Sequence, residues 1–257
     1  MKNLKKRLKQ GDTLNGCWLN LGSPLTAEIV GQAGFDWVLI DLEHGAGSEK
    51  DALYQLQALE HTAAGVIVRV ESAESQRIHR VLDMGAEGIM CPKISNPAEA
   101  QKVVNGLHYP PHGSRGVAKM VRATGFAQNF NQYYEESRDT ILGVVQIETV
   151  EVLNHLDDVA ALDGVDVLFI GPADLSMELG IFGQFDHPLF KEALHETVNA
   201  ARKAGKATGI LFFNPDDYQR YHDLGIRLIA CGADATFVAD GARNLAKKLD
   251  GFRSVYR

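Results

Sequence analysis

The chain has 257 residues, with 26 lysines and arginines against 33 aspartates and glutamates, a formal charge of −7, 45% apolar residues and 25 glycines. A charged fraction of 23% beside that apolar content excludes a disordered chain, and no apolar run is long enough to cross a bilayer. The acidic balance, with a pI near 5.7, argues against a nucleic acid or an anionic membrane surface as partner, since either needs a basic face.

Met1 to Gln10 carries Lys2, Lys5, Lys6, Arg7 and Lys9, but no apolar segment follows as it would in a secretory signal. It reads as a solvated helix with Leu4 and Leu8 turned inward. Short β-rich runs then recur over Gly16–Leu21, Trp37–Leu42, Val66–Val70, Gly88–Pro92, Leu142–Glu148, Val167–Gly171, Ala207–Phe212 and Arg227–Cys231. Most are continuously apolar, the pattern of strands covered on both faces. Helical patterns separate them, among them Lys50–His61, Glu74–Met84, Pro97–Gly106, Pro188–Ala204, Pro215–Leu224 and Ala233–Leu249. Three of these open on proline, whose missing N–H costs nothing in a first turn. Gly85 and Gly225 stand just past helices, a usual stop.

Eight strands alternating with helices predict one (β/α)8 TIM barrel over residues 1–257. A doubly wound sheet is the competing architecture, but no G-x-G-x-x-G follows the first strand. The longest irregular stretch, Tyr109–Arg122, has the length of a lid or binding loop. Cys17, Cys91 and Cys231 are widely spaced and odd in number, which predicts reduced thiols and a cytoplasmic protein.

In such a barrel the chemistry sits where the strands end. The second strand ends with Asp41, Glu43 and His44, the third with Arg69, the fifth with Gln146 and Glu148, and the sixth leads to Asp174. Charges released at one end of apolar strands need partners or a ligand, because burying them alone costs several kcal/mol. A structural ion-pair network such as Arg69–Glu148 is the plain alternative. Glu148 and Asp174, with no His or Cys beside them, suit a hard cation such as Mg²⁺ or Mn²⁺ that keeps positions for substrate oxygens. "GPADLS" (Gly171–Ser176) reads as a helix start with amides aimed at an anion. His44 beside Asp41 reads as an oriented acid/base pair.

The motifs "DLEHG", "VRV", "RGVAKMVRATGF", "VQIET" and "GPADLS", in this order, resemble the metal-dependent pyruvate aldolases of the HpcH/HpaI aldolase/citrate lyase family. That group includes the 4-hydroxy-2-oxoheptanedioate, 2-dehydro-3-deoxyglucarate and 2-keto-3-deoxy-L-rhamnonate aldolases. The resemblance implies a modified barrel whose last helix swaps between subunits of a homohexamer. It makes Glu148 and Asp174 the ligands of a divalent cation (Mg²⁺, Mn²⁺ or Co²⁺), His44 the acid/base and Asp41 its partner. It puts Arg69 and Gln146 on the ketone oxygen of pyruvate, the Gly171, Ala173 and Asp174 amides on the carboxylate, and Leu211 on the pocket wall. Asp83 matches a position that reaches a neighbouring subunit's site, though a plain helix end would serve its sequence equally.

The implied reaction is reversible aldol cleavage of a 4-hydroxy-2-oxoacid to pyruvate, or a close 2-oxoacid such as hydroxypyruvate, and an aldehyde through a metal-stabilised enolate. Its partners are then small molecules. After His44 the chain has Gly-Ala-Gly-Ser where the heptanedioate enzymes have Ala-Pro-Asn. "CPKIS" resembles the acyl-CoA lyases of the citramalyl or malyl type, and "RGVAKMVRAT" resembles macrophomate synthase, which decarboxylates oxaloacetate to the same enolate. Two further readings stay open: a Schiff-base aldolase using Lys93, and a non-catalytic barrel that binds a ligand.

Overall fold

Residues 2–255 are described by a computed structural model; Met1, Tyr256 and Arg257 of the expected 1–257 domain lie outside the described residues. Eight parallel strands close into a barrel in sequence order. They are β1 (Leu14–Leu19), β2 (Trp37–Asp41), β3 (Gly65–Arg69), β4 (Gly88–Cys91), β5 (Leu142–Ile147), β6 (Val167–Ile170), β7 (Ala207–Phe212) and β8 (Leu228–Ala233). Closure comes from β8 pairing with β1, Leu14 opposite Leu228. The continuous apolar runs have the burial they imply: every residue of β2 through β6 is buried.

Inside the barrel three large rings meet. Trp18, Trp37 and Phe169 lie 5.6 to 6.4 Å apart by centroid, with Leu39, Ile67, Met90 and Val144 in the same cluster. Space for these rings comes from glycine on adjoining strands, since a Cβ on Gly16 would collide with the Trp37 ring and one on Gly209 with the Phe169 ring. The interior is thus a filled core in which large and small residues alternate, and the site is built on top of it.

The N-terminal helix, Leu4–Lys9, closes the opposite end. Asn3 caps it by accepting from the Lys6 amide, and Leu4 and Leu8 join the interior cluster as the sequence predicts. Its buried Lys5 reaches Asp166 at 3.0 Å and the Arg138 carbonyl at 2.9 Å, so the charge enters the core paired.

Several boundaries differ from the sequence reading. β1 begins at Leu14 and ends at Leu19, two residues earlier than expected, because its ladder to β8 starts at Leu14. The helix expected over Pro215–Leu224 is a 3-10 turn at Pro215–Asp217 followed by a helix at Tyr218–Asp223. Helices over Pro24–Gln32 and Phe130–Thr140 stand where the sequence reading named none. The last helix runs Asp234–Val255, beyond the expected Leu249, while Ala233 belongs to β8. Among the described residues no helix is long and apolar enough to cross a membrane.

Candidate active site

The strand ends bring together most of the residues named from the sequence. Asp41 closes β2 and Arg69 closes β3, opposite each other in the ladder. Arg69 Nε donates to Asp41 Oδ1 at 2.9 Å and Nη2 to Oδ2 at 2.7 Å, a two-point fork. Beneath it lies the Trp18 ring, 5.7 Å from the guanidinium carbon. Burial opposes the Arg69 charge, but the hydrogen bonds and charge of Asp41, with Glu43 and Glu148, raise its pKa above the ordinary arginine value. Its remaining nitrogen, Nη1, is 3.0 Å from Glu43 Oε2 and 3.4 Å from Gln146 Oε1.

From Gln146 the network continues to Glu148. Gln146 Nε2 donates to Glu148 Oε2 at 2.9 Å, and the Lys93 amide donates to Oε1 at 2.7 Å. Lys93 holds that amide in place with a left-handed backbone, φ 53°, rare for a residue with a side chain. Its side chain is exposed. Burial pushes the Glu148 carboxyl up to about 7; the Lys93 amide opposes the shift, the charges of Asp174 and Glu43 add to it, and Arg69 opposes it.

Asp174 lies in the first turn of the helix Pro172–Glu178 and is exposed. The Ala173 and Asp174 amides, at the head of that helix, have no intrahelical acceptor. Gly171 differs from the expectation. Its N–H donates to the Ile147 carbonyl at 3.2 Å, continuing the strand ladder, so it is not offered to a substrate carboxylate. What Gly171 contributes is room: a Cβ there would stand 2.6 Å from Glu148 Oε2. Leu211, in β7, is partly buried against the interior cluster.

The expected pairing of His44 with Asp41 also differs. Asp41 accepts from Arg69, from Asn20 Nδ2 at 2.8 Å and from the Glu43 and His44 backbone amides. Those donors fill its oxygens. The His44 ring, on a mostly exposed side chain, has its Nε2 3.7 Å from Glu43 Oε1 instead.

Asn20 and Asp234 escaped the sequence reading. Asn20 directly follows β1 and links Asp41 to Asp234, which accepts from the Asn20 amide and from Thr26 Oγ1 at 2.7 Å each. A polar residue directly after an apolar strand was the available signal, and extending that strand to Leu21 concealed it. Arg115 was missed as well. Fully buried in the long loop, it donates to Asp83 at 2.7 Å and to the Tyr133 hydroxyl at 3.0 Å, beside the Tyr109 ring. Asp83 is therefore bound at one oxygen within its own chain.

Among the described residues no cluster of three or more His, Cys, Asp or Glu stands ready to hold a metal. The Glu148–Asp174 pair fits a cation that takes few protein ligands. Asp41, Glu43 and Glu148 lie around Arg69, and burial chiefly raises the Glu148 pKa, with the charges of Asp174 and Glu43 adding to it. Each Glu148 oxygen accepts one hydrogen bond and keeps a lone pair.

Residues 14–241 match the family model for HpcH/HpaI aldolase/citrate lyase. The chain is 39% identical, over 96% of its length and 93% of the relative's, to a hydroxypyruvate/pyruvate aldolase from Agrobacterium fabrum. It is 39% identical, over the whole of both chains, to a 4-hydroxy-2-oxo-heptane-1,7-dioate aldolase from Salmonella arizonae. The crystal structure of a HpcH/HpaI aldolase/citrate lyase family protein from Burkholderia cenocepacia superposes with a TM-score of 0.92 at 35% identity, covering 97% of this chain and 100% of the other. With barrel, strand-end carboxylates and similarity agreeing along nearly the full sequence, the chain belongs to the HpcH/HpaI aldolase/citrate lyase family.

Proposed function

We propose that this protein is a divalent-metal-dependent aldolase that reversibly cleaves a 4-hydroxy-2-oxoacid to pyruvate, or a close 2-oxoacid such as hydroxypyruvate, and an aldehyde. The observation that carries the reading is the Asp41–Arg69–Gln146–Glu148 chain of hydrogen bonds at one mouth of the barrel. It holds a fixed cationic donor beside a buried carboxylate, the two groups that a developing enolate and a cation require. The names of the two aldolase relatives support the same reaction.

Glu148 and Asp174 would hold the cation, which when bound supplies Lewis acidity at the ketone of the 2-oxoacid. Mg²⁺, Mn²⁺ and Co²⁺ each suit this oxygen-donor pair. The Ala173 and Asp174 amides seat the substrate carboxylate. Arg69, fixed by its fork to Asp41, donates to the C2 oxygen as it becomes an enolate oxygen. His44 takes the C4 hydroxyl proton as the C3–C4 bond breaks. The aldehyde leaves, the bond pair stays on the enolate, and protonation at C3 completes pyruvate.

The assembly in this reading is a homo-oligomer, with a hexamer as the expected state. Beyond its first turns the Asp234–Val255 helix is exposed throughout its described side chains, and Val238, Leu245, Leu249 and Phe252 are each more than half exposed. That apolar stripe suits a second copy of the chain. The free cysteines suit a reducing, cytoplasmic setting; burial pushes the Cys17 and Cys91 thiols up to about 12.

The test is a screen of pyruvate and hydroxypyruvate against a panel of aldehydes, with each metal in turn. A parallel arm assays cleavage of citramalyl- and malyl-CoA. Aldol product with free acids is the expected result. Turnover confined to CoA thioesters, or to oxaloacetate decarboxylation with no aldehyde accepted, would replace the reading.

A further inference from the structure

The end of the barrel away from the strand-end carboxylates carries an open cavity of 1040 Å³. It lies among the N-terminal helix, the helix Pro188–Lys203 and the starts of β5 and β7. Small-molecule sites run to about 1,000 Å³, so there is room for a ligand. Six cations and four carboxylates line it. Lys5 is paired with Asp166 at 3.0 Å and Arg138 with Asp163 at 2.7 Å. Lys9, Arg202, Lys206 and Arg227 have no carboxylate within ion-pair distance among the described residues. Against them stand Asp139 and Asp223, and Asp223 already accepts from Gln219 Nε2 at 2.6 Å. The wall thus keeps a surplus of two positive charges in a chain whose net charge is −7.

Two of the spare cations are half-buried and held only by neutral acceptors. Lys206 Nζ donates to the Leu162 carbonyl at 3.3 Å, and Arg227 Nη1 to the His222 and Ile226 carbonyls at 3.0 Å each. Burial lowers the Lys206 pKa; Asp166 and Asp163 oppose the shift, and Lys5 and Lys9 add to it. Next to Arg227, whose amide donates to the Thr208 carbonyl at 2.9 Å, lies a buried hydroxyl. Thr208 is 3% exposed, lines the cavity and has no side-chain hydrogen-bond partner among the described residues. His108, 4% exposed on the same wall, has an orphaned Nδ1. Buried polar groups are almost always satisfied, so unpartnered ones beside spare cations point to a missing anion.

We propose that this cavity is a second binding site for a small organic dianion, a dicarboxylate or a phosphate ester, with Lys206 and Arg227 as its charged contacts and Thr208 as a hydroxyl donor. Two negative charges match the surplus on the wall, and the planar guanidinium of Arg227 suits carboxylate and phosphate oxygens alike. The proposal is independent of the aldolase reading. Because the cavity opens at the far end of the barrel, its ligand binds together with the 2-oxoacid and does not compete with it.

The test is calorimetric titration of the full chain at low ionic strength with succinate and with glycerol phosphate. Acetate and uncharged succinamide are the controls. The proteins are wild type, Lys206→Ala, Arg227→Gln and the double variant. Binding of either dianion or both, at one per chain, is expected, and the arm that binds identifies the head group. Each single variant should weaken it about 10-fold, the loss of one charge-assisted hydrogen bond, and the double variant should abolish it. Acetate should bind more weakly and succinamide not at all. Saturating pyruvate with Mg²⁺ should leave the affinity unchanged. No binding of either dianion at millimolar concentration, undiminished binding in the double variant, equal affinity for a control, or displacement by pyruvate would each overturn the proposal. If the Lys206 and Arg227 variants melt early, Arg202→Glu decides, since it reverses an exposed charge: weaker dianion binding sustains the proposal and unchanged binding overturns it. Dianion binding in a protein that condenses no aldehyde would sustain the second site and overturn the aldolase reading alone.

Discussion

The Arg69 guanidinium shows how a buried charge becomes usable. Asp41 takes two of its nitrogens, the Trp18 face lies beneath it, and Nη1 reaches Glu43 and Gln146 at the mouth of the site. We expect Arg69→Lys to lower aldol cleavage and oxaloacetate decarboxylation together by about 10²-fold, because a point charge on a flexible stem cannot keep the fork. His44→Ala should separate them, cutting cleavage by about 10²-fold or more and sparing much of the decarboxylation. Equal losses of both activities would assign His44 to the enolate step. Lys93 contributes through its backbone, where φ 53° aims the amide at Glu148. Lys93→Gly should retain activity and gain slightly in stability, since glycine adopts that conformation without strain; lost turnover with borohydride trapping of pyruvate on wild-type Lys93 would favour a Schiff base. The residue types of this site were legible because apolar strands ending in charge are conspicuous. Their partners were not. The donors to Asp41 lie far from it in sequence, and only the closed barrel brings Asn20 and Arg69 onto it.

Strands were easier to place than helices, for a physical reason. A strand covered on both faces announces itself as an unbroken apolar run, as in Val167–Ile170. A surface helix such as Phe130–Thr140 buries only Tyr133 and Ser137 and leaves a weak trace. The last helix passes Leu249 and Gly251 without stopping, and its apolar positions find little of their own barrel to cover. Leu245→Glu with Leu249→Glu should therefore release 28.1 kDa monomers in light scattering, whereas wild type should scatter as a multiple larger than a dimer. A monomeric wild type at micromolar concentration would refute the shared helix. Another expectation concerns His108, which follows the helix Pro97–Leu107 and is 4% exposed. Burial lowers its pKa to about 4, with the Lys5 and Arg138 charges adding to the effect. An unfolded histidine titrates near 6.5. Between those values the unfolded chain holds a proton the folded one lacks, so this contribution to stability is present above pH 6.5 and is lost as pH falls toward 4. Urea midpoints at pH 7 and pH 5 should differ less in His108→Gln than in wild type. The raised Glu148 acts in the opposite sense, and the comparison of variant with wild type cancels it. An identical pH dependence in both proteins would contradict the assignment.

At the scale of the whole molecule the two ends of the barrel have separate tasks. One is closed by the N-terminal helix, with Lys5 paired to Asp166, and the other gathers Asp41, Glu43 and Glu148 around Arg69, with the charge of Asp174 acting on Glu148. We propose that a divalent cation balances this excess of negative charge above the packed aromatic core. The direct measurement is a metal titration of chelator-stripped protein by calorimetry, with pyruvate release followed on the same samples, for wild type and Glu148→Gln. In wild type, stripping should abolish release and Mg²⁺, Mn²⁺ or Co²⁺ should restore it with one ion bound per chain. Glu148→Gln should lose both the binding heat and the restored activity while keeping its fold. Full activity in stripped wild-type protein, or normal metal binding in Glu148→Gln, would contradict a metal-dependent aldolase at this site.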